Sequence, residues 1–197
     1  MSVYALKQSY VPLIQKPKCC SATCLQMILY RNGLGLFDQE EIAWALGVRV
    51  AQADVQAFHR TMPLMTSFNN DEGVSTMELL PQIEAFLRSR QIRMFRPEVV
   101  PYTGLSGALE NVIMRALAAD TDIWMEYHCQ EMHKEDPPCI HVHDGLIESY
   151  FSETGVVNMT DSLARRQQRF STDLVTLDRS ISPLFGRPTG MILMHKR

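Results

Sequence analysis

The sequence predicts an α+β fold in which residues 1–120 are mainly helical and residues 121–197 form an antiparallel sheet. Two observations carry this. In the first part, apolar residues recur at helical spacing in segments that have recognisable caps and stops. From Asp122 onward, the apolar residues instead fall in short strand-like runs separated by turn residues. Runs of helices followed by runs of strands indicate segregated layers rather than alternating βαβ units. With 197 residues, 46% of them hydrophobic, the chain is long enough for one good core and short for two. A single domain spanning 1–197 is expected.

The elements follow in order. Tyr4, Tyr10-Val11-Pro12-Leu13-Ile14 and Pro17 suggest an extended arm as far as Lys18, because proline is poor inside helices and central strands. Ala22, Leu25, Ile28 and Leu29 then define a buried helix that begins at or just after Cys20. Asn32-Gly33 stops it with residues that tolerate left-handed backbone. Asp38 can cap a short helix carrying Ile42, Ala43, Leu46 and Val48. Ser75 and Glu78 form a capping box ahead of Leu79, Leu80, Ile83, Phe86 and Leu87. Gln91 to Phe95 alternates like a short strand, closed by Pro97 and Pro101, and Leu105, Leu109, Val112, Ile113 and Leu117 mark a further helix. The predicted strands of the second part are Ile123–Tyr127, Cys139–Tyr150, Gly155–Met159 and Gly190–Met194.

Composition narrows the function classes. The formal net charge is −3 and the 19 Lys and Arg are scattered singly, so no basic footprint for nucleic acid or an anionic membrane is expected. The first ten residues have neither a basic start nor an apolar run, and no segment approaches a membrane span, which points to a cytoplasmic protein. Five cysteines, three of them between Cys19 and Cys24, make an odd, unevenly spaced set. That set suits reduced thiols better than a disulfide framework.

The helix after Cys20 gives one thiol a chemical opportunity. A cysteine at a helix N-terminus sits among unpaired amide hydrogens at the positive end of the macrodipole, and both favour the thiolate. A thiolate still needs a base, a group to orient that base, and donors for an oxyanion. His141 and His143 lie two apart on a predicted strand and so share a face. Either could be the base. A different set overlaps them: His128, Cys129, His133, Cys139, His141 and His143 form a dense run of potential zinc ligands, but their spacings match no standard metal signature. No metal and no cofactor are expected.

Two blocks resemble the C39-like, papain-fold cysteine peptidases. The first is Cys20-x-x-x-Cys24-Leu25-x-Met27-Ile28, with Gln15 upstream and Gln39-Glu40-Glu41-Ile42-Ala43-x-x-Leu46-Gly47-Val48 downstream. Ser21-Ala22-Thr23 stands where the family has Gly-Pro-Ala, and Gln15 precedes Cys20 by five residues where the family commonly keeps six. Cys19 competes as nucleophile, but Cys20 puts Leu25 and Met27 in register with the family's helix. The second block runs from His143 to Asp161: a histidine opening a strand, a turn at Ser152 to Gly155, and a strand ending in aspartate. The resemblance implies a papain-like α+β fold over nearly the whole chain. It also implies Cys20 as nucleophile, His143 as base with His141 as fallback, Asp161 orienting the imidazole, and Gln15 with the Cys20 amide stabilising the oxyanion. The expected activity is cysteine-peptidase cleavage of an amide in a peptide or protein substrate through an acyl-enzyme. The alternatives are acyl transfer on the same fold, an inactive peptide-binding domain, and a metal-stabilised module.

Overall fold

The structure, a computed structural model, describes residues 2–65, 76–102, 107–133, 142–163, 167–181 and 189–197. Among these, strand β1 (Val3–Ala5) precedes helices α1 (Cys20–Arg31) and α2 (Gln39–Ala45). Helix α3 (Leu80–Ser89), strand β2 (Phe95–Pro101), helix α4 (Leu109–Ala118), strand β3 (Asp122–His128) and the short helix α5 (Cys129–His133) follow. Strands β4 (Val142–Phe151), β5 (Val156–Asp161) and β6 (Arg169–Asp173), helix α6 (Leu174–Ile181) and strand β7 (Gly190–Lys196) complete the order. The seven strands form one antiparallel sheet in the order β2-β7-β3-β4-β5-β6. β1 pairs with the far end of β4, where Val3 faces Phe151. Helices first and an antiparallel sheet second is the arrangement the hydrophobic patterning predicts.

The helices form where expected because their apolar faces are buried. Ala22, Leu25, Ile28 and Leu29 are all fully buried, and α1 stops at Asn32 with Gly33 at φ +76°. Asp38 caps α2 by accepting from the Glu40 amide at 2.8 Å. The predicted cap at Ser75 and the apolar Leu105 lie outside the described residues. β3 is buried along its whole length, with no alternation, and the helices α4, α5 and α6 pack on this central strand.

The short strand expected at Gln91–Phe95 is displaced. The strand instead runs Phe95–Pro101 and contains both prolines that were expected to close it. β2 lies at the edge of the sheet, paired only with β7, and an edge strand tolerates residues that cannot donate to a ladder. β1, β6, α5 and α6 are additions. The short strands carry little periodic signal, and α6 lies just after β6 with no turn signal between them.

A buried polar clasp sets the position of α1. Arg31, in its last turn, bonds Asp122 at 2.7 Å and also bonds Asp120, with its side chain 1% exposed. Tyr10 donates to Asp122 at 2.7 Å, and Asn32 donates to it at 3.0 Å. The C-terminal end of α1 is therefore fastened beside the start of β3. A helix of 12 residues and a strand of 7 both span roughly 18 to 22 Å. The N-terminus of α1 consequently arrives where β3 ends and β4 begins, which brings Cys20 to Asp144, the residue after His143.

Candidate active site

The arm before α1 is tied to the end of β5. The Gln15 amide donates to the Ser162 carbonyl at 3.0 Å, and the Ser162 hydroxyl donates to Gln15 Oε1 at 2.6 Å. One residue further on, the Lys16 amide donates to Gln39 Oε1 at 2.6 Å, and its ammonium meets Glu40 and the Ala57 carbonyl. Burial alone would push the Glu40 carboxyl up, but Lys16 and the amides of His59 and Arg60 hold it down at about 2. Gln15 is thus fixed from both sides, next to Asp161.

Cys20 opens α1, whose first turn has no side-chain cap. It keeps partial exposure, whereas Cys19 and Cys24 have none and Cys129 has 2%. Burial, offset by Lys16, pushes the Cys19 thiol up to about 12, which leaves it a core residue beside Glu40. Cys139 lies outside the described residues.

The surroundings of Cys20 differ from the sequence-based expectation. Its sulfur is 4.0 Å from the Ser21 hydroxyl, which donates to Asp144 Oδ2 at 2.5 Å. Asp144 Oδ1 accepts from Thr76 Oγ1 at 2.8 Å, and the Thr76 amide donates to Glu126, the residue paired with Asp144 across the ladder. Burial first, then the charge of Asp144 and a hydrogen bond with it, raise the Cys20 thiol well above its ordinary value. The helix N-terminus favours the thiolate, as expected. Burial and the nearby Asp144 outweigh it, so the resting group is the thiol.

On the next strand position the chemistry changes. His143 Nε2 meets Asp161 Oδ1 at 2.6 Å, with His143 5% exposed and Asp161 fully buried. Asp161 Oδ1 also accepts from the Leu163 amide at 2.8 Å, and Oδ2 accepts from the Tyr127 hydroxyl at 2.8 Å. Burial would raise the Asp161 carboxyl, but His143, Leu163 and Tyr127 together hold it at about 2. The geometry follows from register: Tyr127 faces His143, and Gly145 faces Asp161, so these side chains share one side of the sheet. Behind them, His133 Nε2 is 3.4 Å from the Tyr127 hydroxyl and 3.9 Å from Asp161 Oδ2, with its ring against Phe170.

The four residues expected to act together therefore converge on the paired ends of β4 and β5. His143 and Asp161 touch directly. Cys20 is held against Asp144, the residue after His143, and Gln15 is held against Ser162, the residue after Asp161. Among the described residues no hydrogen bond joins Cys20 to His143, and His141 lies outside them. Likewise, among the described residues no group of three or more His, Cys, Asp or Glu side chains is arranged to hold a metal. The contributions of Ser21, Asp144, Thr76 and Tyr127 were not read from the sequence. Ser21 alone left a signal there, as a hydroxyl where the resembled family has glycine.

No family model matches the chain, nor does any curated protein. Among the described residues, no helix is long and apolar enough to cross a membrane.

Proposed function

We propose that this protein is a cysteine peptidase of the papain-like, C39-like kind, acting on an amide of a peptide or protein substrate. The observation that carries the reading is the buried 2.6 Å contact between His143 Nε2 and Asp161, one strand position from Asp144, which meets Cys20. Because Asp161 occupies Nε2, Nδ1 is the ring atom left to take a proton. The order of the elements supports the papain-like fold, with α1 laid against β4 and its N-terminus at the strand's start.

In this mechanism the Cys20 thiol passes its proton to His143 Nδ1 as the sulfur attacks the carbonyl carbon. The proton moves during attack rather than beforehand, since burial first and then Asp144 raise the resting thiol. The carbonyl oxygen becomes an oxyanion. Gln15 Nε2, free to donate because Ser162 occupies Oε1, and the Cys20 amide would receive it. Collapse expels the amine, which takes the proton from imidazolium, and leaves a thioester on Cys20. Water, deprotonated by His143, then releases the acid and restores the thiol. An amine or thiol in place of water would make the same site an acyltransferase.

The raised Cys20 thiol favours a second reading, a peptide-binding domain without turnover. One experiment separates them. After mixing with a p-nitrophenyl ester, intact mass should show one acyl group, mapped to the Cys20 peptide and absent from Cys20→Ala. A wild-type protein that stays unacylated while binding peptides would establish the binding domain instead.

A further inference from the structure

We propose that Tyr127 is a positioning residue for the candidate site, its ring laid across Gly145 so that its hydroxyl fixes the outer oxygen of Asp161 and presents the inner one to His143. The inference rests on the peptidase reading for its catalytic consequence, but the geometry stands by itself. Tyr127 belongs to β3 and Asp161 to β5, with β4 between them. Adjacent strands lie about 4.8 Å apart, so a side chain that bridges two intervals must cross the middle strand closely. Gly145 makes that crossing available. A Cβ there would meet Tyr127 Cε1 at 3.0 Å, Met159 Cε at 3.3 Å and the Thr160 carbonyl at 3.4 Å.

The consequence is a carboxylate that cannot turn. Oδ2 accepts from Tyr127, with His133 Nε2 3.9 Å away, and Oδ1 is shared by His143 and the Leu163 amide, so both oxygens are held. The Tyr127 ring also packs edge-on against His143 with centroids 5.6 Å apart, which limits rotation of the imidazole itself. Among the described residues, the ionisable groups that face Asp161 are His143 from β4, Tyr127 from β3 and His133 from α5, with Cys24 of α1 within electrostatic reach. Of these, Tyr127 donates to Oδ2 through its hydroxyl. Its role is orientation at the outer oxygen, which no catalytic assignment of Cys20, His143 or Asp161 requires.

Tyr127→Phe removes one oxygen and tests this directly. In the acylating enzyme, kcat should fall about tenfold, the worth of one hydrogen bond to a charged group, while KM stays within about twofold. In an Asp161→Asn background the same substitution should change kcat by less than about twofold, because the group it positions is gone. An unchanged kcat, or an equal loss in both backgrounds, overturns the proposal. Gly145→Ala, which displaces the ring and keeps the hydroxyl, should reproduce the loss if the Phe variant does not fold. Should the wild type form no acyl-enzyme, the peptidase reading fails, and the Asp161 carboxyl resonance decides the present point alone. Its titration midpoint, about 2 in the wild type, must rise in Tyr127→Phe; an unmoved midpoint overturns it.

Discussion

The Ser21 hydroxyl donates to Asp144 at 2.5 Å, tying the second residue of α1 to the strand residue that follows His143. This bond closes the gap between the helix that carries the thiol and the strand that carries the imidazole. It also brings a carboxylate to the thiol, which adds to the effect of burial in raising Cys20.

Removing that carboxylate's charge should make the thiol more reactive. Asp144 raises the Cys20 thiol, so Asp144→Asn lowers it, and the pH midpoint of iodoacetamide labelling at Cys20 should move down. In the wild type Cys20 should label ahead of the buried Cys19, Cys24 and Cys129, with a midpoint above that of an ordinary thiol near pH 8.5. Labelling of Cys20 that is unaffected by Asp144→Asn would remove Asp144 from the account.

The clasp on α1 predicts a large stability effect. Arg31→Met leaves Asp122, fully buried, without its cation, and the loss should be about 3 to 5 kcal/mol by chemical denaturation. Arg31→Met with Asp122→Asn together should recover a substantial part of it. A loss below about 1 kcal/mol for the single variant would mean the clasp does not hold the helix.

Three carboxyls held at about 2 weaken the fold in acid. Asp161, Glu40 and Asp120 are each held at about 2, against about 4 in an unfolded chain. Their folded forms release protons more readily than the unfolded chain does. The stability they contribute is present in full above about pH 4 and is lost as pH falls from there through 2. Glu40→Gln should therefore be less stable than wild type at pH 7 and should lose less on acidification, which denaturation midpoints between pH 2 and 7 would show.

Much of the fold was legible, and the reasons are specific. Helix α1 was visible because Ala22, Leu25, Ile28 and Leu29 repeat at helical spacing and Asn32-Gly33 ends them, while Asp38 marked α2. β2 was misplaced because Pro97 and Pro101 read as stops, and edge position, which excuses them, depends on strand order rather than local sequence. At the site, the pairing of His143 with Asp161 was implied only by the family resemblance, and the two side chains meet at 2.6 Å. The partners of Cys20 were hidden: Asp144 reaches it from 123 residues beyond Ser21, and Thr76 joins from a third segment. Tyr127 was equally unreadable, because its reach to Asp161 requires the β3, β4 and β5 registers together.

The central claim is that Cys20, His143 and Asp161 act as one unit, and the acylation rate of a single series tests it most directly. With an activated ester, Cys20→Ala and His143→Ala should form no acyl-enzyme, and Asp161→Asn should keep a reduced rate because the ring loses its orientation and tautomer. His141→Ala should leave most of the rate intact. Acylation of His143→Ala at the wild-type rate would contradict the claim.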